Sequence, residues 1–276
     1  MLTREVADFQ GFAMQCRADF GPGVAKAVFL VSPDGFARAE QSASDNHYMA
    51  AESAFNAAKA SRQHLELQRA LGTELPVWCF PGDAGTPDAV FPNNVFATVP
   101  GRLIVGRMRH EVRRREAARE DIRTHFLKEG YALNDLSRQS HACELTGALV
   151  IDRARGLGYC GLSERCDEVG AALMHEAFGL RATLMFDLAP GEYHTNVVLA
   201  VLAGRAALIA PAGFADPQVP DAIAALYGEG GIFLSETEHA AFVANAIALS
   251  ERSVWMSVAA DDAVTGSTRE ALARRG

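Results

Sequence analysis

Four stretches of this chain are variations on one pattern, and they recur roughly every 50 residues. They are "NVFATVPGRLIVGRM" from Asn94, "GALVIDRARGLGYCGL" from Gly147, "NVVLAVLAGRAALIAPA" from Asn196 and "NAIALSERSVWMSVAA" from Asn245. Each runs through an apolar strand, turns at a short polar or glycine-containing tip, and returns through a second apolar strand, which is hairpin chemistry. Helical patterns follow at 111–128, 166–178, 217–227 and 261–274, and short strands at 131–135, 182–187 and 231–236. The unit is therefore β-β-α-β. A fifth, shorter unit stands at the front: a strand at 26–32, a loop, a long helix at about 48–71 and a strand at 76–80.

Five such units predict an α/β fold, an α/β propeller closed on itself, in one domain over 23–276 after an N-terminal extension, 1–22. The front unit lacks the first hairpin strand. One more period would put a closing strand beyond Gly276, so an open sheet edge is expected at 26–32. The extension reads as an amphipathic helix and a turn that could cover that edge; left uncovered, the edge would invite a homodimer.

The net charge of −8 argues against a nucleic-acid partner. The basic run at 107–119 is interleaved with Glu111 and Glu116, as on a solvated helix face. No apolar run approaches the ~20 residues of a membrane span, so no membrane partner is expected. The odd set of five cysteines, with no CxxC pair and no signal peptide, predicts free thiols in the cytoplasm. The eight histidines show neither HxxxH nor HxH spacing, and neither metal nor cofactor is expected.

The polar residues at the hairpin entrances draw attention. "TPDAVFPNN" (86–94) puts Asp88, Asn93 and Asn94 before the first hairpin, "CELTGALV" puts Glu144 before the second, and "GEYHTNVV" puts His194 before the third. Taken singly, each is as readily a turn former. Taken together, a carboxylate, amides and a histidine in one register would face the axis of a ring, the grouping an acid/base site needs.

These motifs, with "RRxE", "ExxG", "GLSxR" and "HTN", resemble the pentein-fold guanidino-group-modifying enzymes, from about residue 26 onward. That superfamily includes arginine deiminases, dimethylarginine dimethylaminohydrolases and amidinotransferases. The motifs are most similar to the bacterial citrulline-utilisation hydrolase, arginine-deiminase-related branch. The resemblance implies a small-molecule substrate, a guanidino or ureido amino acid, whose C–N bond is hydrolysed by covalent Cys-His-Glu chemistry. It implies that Asp88, Asn93 and Asn94 hold the guanidinium or ureido nitrogens, that Arg113 and Arg165 clamp the α-carboxylate, that Glu144 orients the substrate and that His194 is the general acid and base. Hydrolase relatives often carry an acid at the place of Asn94; an amide suits a neutral ureido group or a less basic substrate.

The chain also departs from the pattern. Leu145 stands where relatives have a glycine, which would narrow the pocket, and Cys166 where they have a threonine. The nucleophilic cysteine of the family lies on the closing strand, and none of Cys16, Cys79, Cys143, Cys160 and Cys166 stands in its place. An amidinotransferase, or an inactive pentein that binds an arginine-like ligand, therefore stays open beside the hydrolase. A scaffolding role fits poorly with the acidic charge and the acid/base pair.

Overall fold

The apolar runs of the repeat fold into five sheets in the computed structural model, which describes residues 1–37, 39–44, 46, 48 and 56–275. The chain divides into two compact units, Lys26–Leu145 and Met1–Ala25 with Thr146–Gly276.

In the unit Lys26–Leu145, strand β2 (Val28–Val31) runs parallel to β3 (Val77–Phe80). Such a parallel pair needs a crossover, and the helix Ala57–Leu71 lies within it, capped by the Asn56 side chain on the Lys59 amide. The expected helix over 48–71 is thus seen from Ala57; residues 49–55 lie outside the described residues. The second sheet has the order β4 (Phe96–Val99), β5 (Arg102–Val105), β6 (Ala132–Asp135), antiparallel and then parallel. Its core joins Val31, Phe96, Leu103, Val105, Ile122 and Phe126, with Phe29 edge-on to Phe80 and Phe126.

The helical stretch expected at 111–128 is broken into three pieces: a helix Glu111–Arg114, a 3-10 turn Arg115–Ala118 and a helix Glu120–Lys128. Arg119 makes the break with extended backbone at ψ 99°, and its side chain donates to the Pro81 carbonyl and pairs with Asp121. The run is not one solvated face either, because Arg113 and Glu116 are buried.

The other unit holds three sheets. β7 (Leu149–Asp152), β8 (Leu157–Leu162) and β9 (Ala182–Asp187) repeat the antiparallel-then-parallel order around the helix Glu168–Phe178. β10 (Leu199–Leu202), β11 (Ala206–Ile209) and β12 (Gly231–Phe233) repeat it again around Gln218–Tyr227. β13 (Ile247–Ser250) and β14 (Ser253–Trp255) form a hairpin alone. The β10–β11 turn has positive φ at Ala203 and Gly204, 52° and 69°, among the three residues that lie between the paired Leu202 and Ala206.

The N-terminal residues build into this second unit. β1 (Leu2–Thr3) lies parallel to β9, and the helix Val6–Ala13 buries Phe9 edge-on against Tyr159. They do not pair with β2, whose one sheet partner among the described residues is β3. The helix expected at 261–274 is two helices, Val258–Ala263 and Gly266–Ala273. Thr265 caps the second, and its amide and hydroxyl both donate to the buried carboxylate of Glu238.

Candidate active site

Two proline-bounded turns make "TPDAVFPNN" a cradle rather than a strand entrance. The Ala89 amide donates to the Thr86 carbonyl and the Phe91 amide to that of Asp88, each at 3.0 Å, and Pro92 then opens a 3-10 turn Pro92–Asn94. Ala89 and Val95 sink into the core and take Asp88 with them. Asp88 is 2% exposed. Its Oδ2 accepts a hydrogen bond from the Ser42 hydroxyl, and its Oδ1 has no hydrogen-bond partner among the described residues. Asn94 is buried and its Oδ1 accepts from Nδ2 of Asn93, 2.9 Å away; Asn93 itself is exposed.

The same unit carries Arg113, Glu116 and Glu144, all buried. Arg113 lies within the helical turn Glu111–Arg114 and grips Glu116 with two parallel bonds of 2.9 Å, Nε to Oε1 and Nη2 to Oε2. Its Nη2 also donates to the carbonyls of Phe91 at 2.9 Å and Asp88 at 3.3 Å. Burial works against its charge, but Glu116, Glu144 and Asp88 hold the guanidinium above its ordinary pKa. Burial raises the Glu116 carboxyl above its ordinary value, with Asp88 and Glu144 adding to the rise and Arg113 opposing it. Glu144 accepts from the Arg109 amide at 3.0 Å through Oε1.

Leu145 packs in the interior against Gly106. It is fully buried, and a Cβ on Gly106 would stand 2.7 Å from its Cγ, so the bare glycine backbone makes room for it.

The unit with Thr146–Gly276 carries Arg165 and His194, both buried. His194 is the N-cap residue of the four-residue helical turn Thr195–Val198, which leads into β10. Glu144 likewise precedes a four-residue turn, Leu145–Ala148, which leads into β7. Their shared register is real, but it lies on helical turns and not on the first hairpin strands. Asn94 closes a 3-10 turn before β4. Thr195 fixes the second of these positions: its hydroxyl donates to the Ala148 carbonyl and accepts from the Gly161 amide. Tyr193 lies between the two expected site residues, its ring 4.6 Å from that of His194 and 5.6 Å from the Arg165 guanidinium carbon.

Ser42, Glu116 and Tyr193 were not expected at the site. Glu116 had a signal in the i,i+3 spacing from Arg113. Tyr193 adjoins His194. Ser42 lies 46 residues from Asp88 with no local pattern to link them. Of the thiols, Cys143, Cys160 and Cys166 are buried, the last two with sulfurs 3.7 Å apart. Cys79 is exposed, and burial of its sulfur followed by the charge of Asp34 pushes its thiol up. Among the described residues no group of three or more metal-binding side chains converges, and no helix is long and apolar enough to cross a membrane.

Comparison with solved structures places this architecture. The chain superposes on a cysteine-to-serine mutant of the N-terminal domain of ArgZ, an arginine dihydrolase from the ornithine–ammonia cycle in cyanobacteria, bound to substrate. The TM-score is 0.77 at 19% identity, covering 90% of this chain and 88% of that one. It superposes on AgrE in ternary complex with ornithine and NAD+ at a TM-score of 0.76 and 18% identity, covering 90% of this chain and 35% of that one. A dimethylarginine dimethylaminohydrolase histidine-to-glycine mutant, as its adduct with S-methyl-L-thiocitrulline, gives 0.66 at 23% identity, covering 90% and 89%. The chain thus spans about a third of whole AgrE, and at these identities the likeness shows a shared fold, the mixed α/β pentein fold. A comparison with curated proteins finds no match. The family model described as N,N dimethylarginine dimethylhydrolase, eukaryotic, matches residues 32–276, and the chain belongs to that family.

Proposed function

We propose that this protein binds a guanidino amino acid of the arginine or methylarginine class and hydrolyses a C–N bond of its guanidinium group, its five sheets being the blades of a pentein propeller. The observation that carries the substrate charge is Asp88. A buried carboxylate with one oxygen on the Ser42 hydroxyl and the other without a hydrogen-bond partner among the described residues favours a cationic N–H donor, even with the Arg113 charge nearby. A ureido group supplies the N–H but not the charge, so the cation is preferred over citrulline.

In this reading Asp88 takes the guanidinium N–H groups, with Asn93 and Asn94 beside it, and Arg165 takes the α-carboxylate. Glu144 accepts from the substrate nitrogens and orients them. His194 gives a proton to the departing amine and takes one from water; its ordinary pKa near ~6.5 suits both steps. We place the reaction in the cytoplasm, where five free cysteines stay reduced.

A second reading, ligand binding without turnover, is favoured by the thiols. Covalent chemistry of this kind needs a reactive thiolate. Three of the five cysteines are buried, and burial of its sulfur with the charge of Asp34 pushes the Cys79 thiol up.

The test is incubation of the full chain with L-arginine, methylarginines, agmatine and L-citrulline, with products and adducts followed by mass and binding by calorimetry. Ammonia or an alkylamine released from a guanidino compound supports hydrolysis. Binding of the guanidino compounds with no product supports the second reading. No interaction with any of them removes both.

A further inference from the structure

We infer that Cys160 and Cys166 form an oxidisable dithiol, and that closing their disulfide displaces Arg165. Cys166 is a departure of this chain from the motif it resembles, where relatives carry a threonine. The fold gives that departure a partner: both thiols are buried, and their sulfurs stand 3.7 Å apart. A disulfide bond is about 2.05 Å long, so the pair must close by about 1.7 Å. Cys160 is poorly placed to supply that movement, because its strand β8 is paired on both sides, with Leu149 of β7 and Met185 of β9 opposite it. Cys166 ends the turn 163–166, closed by two backbone bonds of 3.0 and 3.2 Å between Ser163 and Cys166. Glu164 in this turn and Asp167 just after it are exposed, so local opening here admits a small oxidant to a sulfur that is otherwise covered.

The turn takes the displacement, and Arg165 travels with it. The Arg165 amide donates to the Ser163 hydroxyl at 3.1 Å, and that hydroxyl donates to the Tyr193 carbonyl at 2.8 Å. The Arg165 guanidinium also packs on the Tyr193 ring, which packs on His194. A disulfide therefore disturbs a run of contacts from Arg165 to His194. The oxidant is a peroxide. Cys166 attacks one peroxide oxygen and becomes a sulfenic acid; the O–O bond breaks, and the thiol proton leaves with the second oxygen as water. The Cys160 sulfur then attacks the Cys166 sulfur. An S–S bond forms, the S–O bond breaks, and the departing hydroxide takes the Cys160 proton as a second water. Two thiols lose two electrons and one peroxide gains them. Exchange with a small thiol reverses the change, as a transient disulfide in a reducing compartment requires.

The test treats the full chain with hydrogen peroxide, alkylates the remaining thiols under denaturing conditions and maps linked peptides by mass. The expected result is a link between Cys160 and Cys166 that dithiothreitol reverses and Cys166→Thr abolishes. Both thiols still free, or oxygen added to them without a link, would overturn the inference. The Tyr193 ring resonances should shift on oxidation of wild type and return on reduction; a link that leaves them unmoved would overturn the displacement of Arg165. The ligand arm alone rests on the reading that Arg165 takes a substrate carboxylate. Its probes are L-arginine and agmatine, which carries the guanidinium without a carboxylate. Oxidation is expected to weaken L-arginine binding at least ~5-fold and agmatine binding less. Shifted resonances with L-arginine affinity unchanged, or with both probes weakened alike, would uphold the dithiol and defeat the carboxylate reading of Arg165. Shifted resonances in a protein whose reduced form binds neither probe would uphold the dithiol and defeat the guanidino reading.

Discussion

Asp88 burdens the fold it sits in. A carboxylate 2% exposed, with one oxygen on a hydroxyl and the other without a hydrogen-bond partner among the described residues, is held against its own solvation. Replacing it by the isosteric amide should relieve that cost and remove the attraction for a cation. Asp88→Asn is expected to leave folding stability equal or higher in chemical denaturation, while arginine affinity falls at least ~10-fold. Gly106 illustrates the opposite case, a residue that exists for packing. Gly106→Ala forces a methyl against Leu145 and the Cys143 carbonyl and should cost about 1–3 kcal/mol of unfolding free energy. Combining it with Leu145→Ala should recover part of that loss, a coupling that a double-mutant cycle measures. From the sequence, Leu145 could be seen only as a departure from a glycine-bearing motif. Its compensation by a glycine far away in the chain needed the fold. Asp88, Glu144 and His194 stood out as candidates because each sits beside a repeat boundary; the Ser42–Asp88 contact did not, because nothing in the neighbourhood of Ser42 points to Asp88.

At the scale of elements, hydrophobic period and turn residues foretold the hairpins and the strand after each helix. They missed the four-residue helical turns Leu145–Ala148 and Thr195–Val198, which are shorter than the window over which a helical period can be recognised. The break at Arg119 was hidden for a related reason: charge spacing reads the same for one helix or two. Turn chemistry makes a prediction of its own. Ala203 sits at φ 52° in the β10–β11 turn, where asparagine is better suited. Ala203→Asn should raise stability by ~0.5–1 kcal/mol in denaturant titration. Glu238 is the clasp between the helices Glu236–Ala240 and Gly266–Ala273. It closes a capping box with Ser235 and accepts from the amide and hydroxyl of Thr265. Although burial alone would raise it, the amides of Ser235 and Thr265 with nearby hydroxyls depress its pKa to about 2. A depressed carboxylate contributes stability above its unfolded pKa and loses it as pH falls through the folded one. Thermal melts should therefore show stability falling from about pH 4.5 toward 2, and Glu238→Gln should remove that part of the slope.

For the molecule as a whole, the repeat foretold five strand groups, and five sheets are present among the described residues. The division into two compact units was not foretold, because no change of composition marks the chain at Lys26 or Leu145. The N-terminal strand was missed because two residues carry no periodicity, yet Leu2 and Thr3 extend the sheet of β9. Family membership points to guanidino compounds, and the proposed reading takes the ligand's charge from the buried Asp88. The most direct measurement of that claim is calorimetric titration of the full chain with L-arginine and L-citrulline side by side, in wild type and Asp88→Asn. The prediction is that arginine binds wild type at least ~10-fold more tightly than citrulline and that Asp88→Asn erases the difference. Citrulline binding as tightly as arginine to wild type, or a preference for arginine that survives Asp88→Asn, would contradict it.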